Sequence, residues 1–273
     1  MKMVERMMIQ QMMIQRLMSQ RVMSQRVMSQ RVIVRRIVIL ALLLCAARLP
    51  AQVTTVRGRV EVIGGRPWHP ASVPATVVWL TPQPGSAYEV PKVTPRTDGT
   101  LRLVQKNKSF EPHILVVPVG SVVEFPNRDP FFHNVFSLFE AKRFDLGLYE
   151  AGSSRMVHFD RVGVSYIFCN IHPEMSAVVI TLATPFYAIS SASGQLSIPD
   201  VPYGRWVLHI WSEHGLPEAA QTETRDITIS EASPALGVIR VPSASGQILA
   251  HKNKYGRDYD QPTPGNPVYR QQP

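Results

Sequence analysis

From Val53 onward the apolar residues come in short runs rich in Val, Ile, Phe, Tyr and Trp, many of them alternating with polar positions. Gly, Pro and Asn interrupt these runs at intervals of roughly ten residues, and no stretch carries the 3.6-residue period of a long amphipathic helix. A period of two broken by frequent turns belongs to strands that each bury one face, and many short strands of this kind predict an all-β sandwich. The predicted strands are Thr55–Val62, Ala75–Leu80, Leu101–Gln105, His113–Val117, Ser121–Phe125, His133–Leu138 and Met156–Phe159. They continue with Val164–Cys169, Ser176–Leu182, Phe186–Ser190, Gly194–Ile198, Arg205–Trp211, Arg225–Ser230 and Leu236–Val241.

Before Val53 the pattern changes. The pentapeptide MSQRV occurs at 18–22, 23–27 and 28–32, and nine of the 11 Met lie in this region. So simple a repeat cannot encode a packed core, and its plainest explanation is an over-extended reading frame with Met23 or Met28 as the start. Arg35 and Arg36 then precede an 11-residue apolar run from Ile37 to Ala47 and the sequence Leu49-Pro50-Ala51. A charged segment, a short apolar segment and a small residue at the cut read as a secretory signal cleaved after Ala51. Residues 1–51 are therefore a low-complexity extension plus a signal. The residues around Arg35-Arg36 lack the twin-arginine pattern, and Leu44 before Cys45 is not the small residue a lipid-attachment site requires. A membrane helix needs roughly 20 apolar residues, so the expected protein is exported to the periplasm with no stable membrane span. Residues 243–273 are polar, Pro-rich and aperiodic, and read as a disordered tail.

Charge removes one class of partner. The chain has 273 residues with 29 Lys and Arg against 20 Asp and Glu, a net charge of +9. Nine of the basic residues and only the acid Glu5 fall within 1–51, which leaves 20 basic against 19 acidic for the rest. A near-neutral body with interspersed signs offers no footprint for nucleic acid. The two cysteines, Cys45 and Cys169, exclude a disulfide within the body, a cluster of Cys ligands and C-x-x-C-H haem attachment. After export Cys169 is a lone thiol in an oxidising compartment, so it must be buried or occupied.

Around that thiol the chain reads Tyr166-Ile167-Phe168-Cys169-Asn170-Ile171-His172-Pro173-Glu174-Met175. A strand ending at Cys169 and a tight loop can bring a thiolate, an imidazole and a thioether to one point, and Pro173 keeps His172 extended. Only Met156 and Met175 remain after residue 51, and the placement of one of the two in this loop marks it as a candidate ligand. One more imidazole would complete a His₂Cys plane with a weak Met ligand, the blue-copper set. His113, His133 and, less well placed, His158 could supply it. His133 suits best, because it opens a strand after the polar turn Asn127-Arg128-Asp129-Pro130-Phe131-Phe132, and the backbone N–H of Asn134 can donate to the thiolate.

With Phe110, Pro118, Gly120, Val123-Glu124-Phe125, Asn127, Gly163 and the Tyr166/Phe168 alternation, these motifs resemble the cupredoxins over residues 97–182. The short final loop is similar to that of the amicyanins, and proteins of methylamine utilisation look similar. The resemblance implies a Greek-key β-sandwich holding one type 1 copper per chain on His133, Cys169, His172 and Met175. It implies an electron carrier whose redox partners dock transiently near His172, on a surface of Pro130, Phe131, Phe132 and Pro173. The Phe144 to Gly152 stretch departs from the compact members. No His-x-His, G-x-S-x-G or second body cysteine occurs, so a trinuclear or binuclear copper cluster and a serine hydrolase elbow are excluded, and the chain reads as a carrier rather than an enzyme. The alternative is a copper-handling or envelope-binding module in which the metal is cargo or structural.

Residues 53–84 and 183–242 carry Gly58-Arg59-Val60, Gly64-Gly65 and Pro199-Asp200-Val201-Pro202-Tyr203-Gly204-Arg205-Trp206. Together they resemble a carboxypeptidase regulatory-like β-sandwich, a small immunoglobulin- or transthyretin-like fold. The copper domain is then inserted into a loop of this second sandwich, or flanked by it in tandem.

Overall fold

The alternation of the body becomes sixteen strands in a computed structural model, which describes residues 8, 12–21, 23, 28, 31, 35, 36, 52–63, 75–86, 88–138, 141–213, 222–242 and 252–259. They are β1 (Val53–Ile63), β2 (Thr76–Pro82), β3 (Val104–Lys106), β4 (Ser109–Glu111), β5 (Ile114–Pro118), β6 (Ser121–Pro126), β7 (His133–Ser137) and β8 (Phe144–Tyr149). There follow β9 (Ser154–Phe159), β10 (Gly163–Cys169), β11 (Ser176–Leu182), β12 (Tyr187–Ile189), β13 (Gln195–Pro202), β14 (Gly204–Ser212), β15 (Glu223–Ile229) and β16 (Ala235–Pro242).

Met1–Gln52 and Val53–Pro273 are separate units. In the first, residues 12–21 are helical, and among the described residues no helix is long and apolar enough to cross a membrane. The stretch from Ile37 to Ala51, with its expected cleavage site, lies outside the described residues.

β10 shows why the alternation matters. Its odd and even residues serve different cores, because successive side chains on a strand point to opposite faces. Ile167 and Cys169 join Val123, Phe125, Val135, Phe159 and Val179 in one cluster. Tyr166 and Phe168 join Phe136, Val178, Ile180, Val77, Trp79 and Trp211 in another. β10 lies inside the sheet β5-β11-β10-β7-β8, with β6-β9 and the β3-β4 hairpin as two smaller sheets.

The remaining strands form the sheets β13-β1-β16 and β12-β2-β14-β15. These enclose a third cluster that includes Val56, Val60, Val78, Leu80, Trp206, Leu208 and Ile239. β1 pairs antiparallel with β13 and parallel with β16, while β2 pairs with β12 and β14. Every ladder partner of the two N-terminal strands therefore comes from beyond residue 186. β2 turns Val78 and Leu80 into this core and Val77 and Trp79 toward the β10 side, so the sheet carrying it is packed on both faces. At the rim of that seam His113 forms an ion pair with Glu213, and Trp211 Nε1 donates to the Tyr166 hydroxyl at 3.2 Å.

Two strands escape the alternation. β4 is three residues long with only Phe110 buried. β8 is a sheet edge whose Asp145 and Leu148 face solvent, so its sequence FDLGLY shows no clean period. The expected strand over Leu101–Gln105 shortens to β3, preceded by a single bridge from Arg102 to Glu124. The chain then turns at Asn107 and Lys108, both at φ 54. In the tail, expected to be disordered throughout, residues 252–259 instead form a turn with hydrogen bonds to the body; the other residues of 243–273 lie outside those described.

Candidate metal centre

Cys169 ends β10 and His133 begins β7, its neighbour in the sheet, where Cys169 pairs with Val135. The two side chains thus converge at one end of the sandwich. The loop from Cys169 to Met175 is closed at its neck by a Cys169 N–H to Met175 C=O bond of 3.2 Å, and a Met175 N–H to His172 C=O bond of 3.0 Å tightens its end. This turn returns His172 to the thiol. Nδ1 of His133 and Nδ1 of His172 each lie 3.6 Å from Cys169 Sγ, and the three donor atoms all fall within 4.8 Å of one another. Cys169 and His133 have no exposed surface, and His172 is half-buried.

The tautomer of His133 is set from behind. Its Nε2 lies 2.9 Å from Asp129 Oδ2, so the N–H points to the carboxylate and the Nδ1 lone pair points to the cluster. Asp129 is itself fixed: it accepts the backbone N–H of Asn107 at 2.6 Å and of Lys108 at 3.0 Å, and its own N–H donates to Asn127 Oδ1 at 3.0 Å. The β3-β4 turn, held at positive φ, is thereby tied to the carboxylate that orients His133. Asp129→Ala would leave the buried imidazole N–H of His133 unsatisfied and hand the Asn107 and Lys108 amides, on an exposed turn, to water, at a cost of about 1–3 kcal/mol. Urea unfolding of the metal-free protein should show that loss, and a change below about 0.5 kcal/mol would refute the linkage.

Electrostatics complete the picture. Burial pushes the Cys169 thiol pKa up, and the backbone N–H groups of Ile171, Asn134 and His172 pull it back by facing the sulfur. Burial, aided by the neighbouring His133, pushes His172 down to about 4. Burial also lowers His133, although Asp129 opposes it. The pocket therefore favours neutral imidazoles with free lone pairs, and a thiolate only when positive charge accompanies it.

This donor set fits a metal ion. Two ligands bonded to one ion at about 2.0 Å through nitrogen and 2.3 Å through sulfur stand roughly as far apart as these nitrogens and sulfur do. Met175 is fully buried in the cluster that contains Cys169. Of the other histidines considered, His113 is paired with Glu213, and His158 Nε2 meets the Gly120 carbonyl at 3.0 Å. Asp129 carries no role in the sequence reading, since a carboxylate four residues before a histidine in a turn is a weak signal until the β3-β4 turn is seen to close on it.

No protein-family model and no curated protein matches the chain. Solved structures are similar over about a third of it. A purple cupredoxin from Nitrosopumilus maritimus shares 22% identity over 30% of this chain and 99% of its own, with a TM-score of 0.28. A reduced amicyanin variant shares 22% over 34% of this chain and 97% of its own, with a TM-score of 0.29. An oxidised amicyanin variant shares 20% over 38% and 99%, with a TM-score of 0.29.

Proposed function

We propose that this is an exported type 1 copper protein that carries single electrons between periplasmic redox partners and is not an enzyme. The observation that carries the reading is the buried His133, Cys169 and His172 cluster, with its donor atoms within 4.8 Å of one another. A thiolate with two imidazoles is a copper-favouring set, and Met175 is the weak fourth ligand in this reading. Copper held there supplies a one-electron couple.

The chain's own residues do the rest. Asp129 keeps the His133 N–H occupied and its lone pair inward. Three backbone N–H groups stabilise negative charge on Cys169. Burial excludes water, so little rearrangement accompanies a change of charge. His172 is the half-buried member, its ring centroid 5.3 Å from that of Phe131 with the two planes tilted by 53°. Pro173, next to it in the chain, and Pro130 and Phe132, which flank Phe131, are exposed. An apolar surface of this small extent suits transient docking by a redox partner.

The second sandwich is read as the host and the copper domain, residues 97–182, as its insertion. The support is that β1 and β2 share one core with the strands from β12 to β16.

One visible spectrum tests the copper reading. Copper-loaded protein should be intensely coloured and reversibly reducible; stoichiometric copper with only pale absorption, or copper lost to a chelator without ever cycling, overturns it. Met175→Leu should keep the colour and raise the reduction potential, because losing a weak axial donor destabilises Cu(II) more than Cu(I). A redox titration in which the potential does not move would remove Met175 from the ligand set.

A further inference from the structure

The tail residues 252–259 lie against the ligand loop, and their contacts are specific. The turn is closed by its own hydrogen bonds: Asn253 N–H donates to the Arg257 carbonyl at 2.8 Å, and Asn253 Oδ1 accepts from Tyr255 and Arg257 N–H at 3.0 and 3.1 Å. From this turn three bonds reach the site. Lys254 N–H donates to Asn170 Oδ1 at 2.9 Å. Lys254 Nζ meets Asp145 Oδ2 at 2.7 Å. The Tyr259 hydroxyl donates to the Cys169 carbonyl at 2.7 Å.

Each of these acceptors belongs to the surroundings of the thiol. Asn170 follows Cys169 in the loop. Asp145 uses its other oxygen to accept Asn134 Nδ2 at 2.6 Å, and the Asn134 backbone N–H is one of the groups that faces the sulfur. The Cys169 carbonyl opens the peptide that leads to Ile171 and His172, whose N–H groups are the other two. The tail thus holds the frame from which all three donors are aimed.

We propose that residues 252–259 are a latch on the ligand loop and that Tyr259 is a positioning residue for the thiolate, its hydroxyl fixing the Cys169 peptide so that the N–H groups of the loop stay directed at sulfur. For the loaded protein this rests on the copper reading; for the metal-free protein it does not. Hydrogen bonds to the sulfur draw off electron density and favour the reduced metal, so loosening them lowers the potential.

Tyr259→Phe in the full chain removes the one hydroxyl and keeps the ring. In the metal-free protein Cys169 is fully buried, so its reaction with a disulfide reagent requires local opening. That reaction should run about fivefold faster in Tyr259→Phe, the factor expected for one hydrogen bond. Tyr187→Phe, on a β12 side chain that is 38% exposed and outside both the tail and the ligand loop, should leave the rate unchanged. In the copper-loaded protein Tyr259→Phe should lower the potential and shift the thiolate absorption band, whereas a merely structural role would lower only the unfolding midpoint. Equal thiol reactivity in variant and parent overturns the latch, and an unmoved potential overturns the positioning role. A faster thiol in a protein that takes up no copper supports the latch and overturns the copper reading instead.

Discussion

Cys169→Ser is expected to abolish the visible colour of the copper-loaded protein entirely. The colour would arise from charge transfer out of a thiolate, and a serine hydroxyl neither ionises at neutral pH nor offers a soft donor. The two imidazoles remain, because His133 is held by Asp129 from outside the cluster, so the variant should still bind a divalent ion weakly. Metal titration followed by absorption separates the outcomes. A variant that keeps an intense band would show that the sulfur is not a ligand. A variant that loses the band and retains weak pale binding is the predicted result.

The largest effect on stability should come from Trp211→Ala. Trp211 is 1% exposed, belongs to the cluster shared by β2, β7, β10 and β11, and donates to Tyr166. Removing a buried indole costs about 3–5 kcal/mol through lost contacts and the cavity left behind, a large part of the roughly 5–15 kcal/mol that keeps a domain folded. The melting temperature should fall by roughly 10 °C. Trp211 packs against the face of β10 opposite to Cys169, so a folded sample below that temperature should retain full colour. Met156→Ala, on a side chain 68% exposed, should change stability by less than about 0.5 kcal/mol. Calorimetry on the two variants tests this, and a shift for Trp211→Ala no larger than that for Met156→Ala would mean the seam is not packed.

The cluster of His133, Cys169 and His172 was the most legible part of the chain because its logic is local. Cys169, His172 and Met175 sit within one short loop, and His133 opens a strand after a polar turn, so spacing alone brings their types together. The groups that tune the site are not local. Asp129 acts only once the turn at Asn107 and Lys108 has folded onto it. Tyr259, Lys254 and their acceptors are 84 to 109 residues apart in sequence, and a polar, proline-rich tail gives no hydrophobic period to mark such a contact. The all-β class was visible in the alternation, but β8 was hidden by its exposed edge. The double burial of β2 looked like an ordinary apolar run, because Val77-Val78-Trp79-Leu80 carries no sign of which residue meets which core.

The pairing of β1 and β2 also constrains the order in which the fold can be completed. A chain that emerges from its N-terminus presents Val77, Val78, Trp79 and Leu80 long before Tyr187 to Ile189 and Gly204 to Ser212, the strands that pair with β2, exist. All strands from β3 to β11 are made in that interval and find their ladder partners among themselves, so they can close while the earliest strands wait. Contacts of such sequence separation are slow to form, and unpaired apolar strands associate with one another in the meantime. The outer sheets are thus the last to shut and the vulnerable stage of biogenesis: slow translation or a truncation after Leu182 should leave the strands from β3 to β11 paired among themselves but short of Trp211 and of the tail contacts, and tethered to two sticky orphan strands.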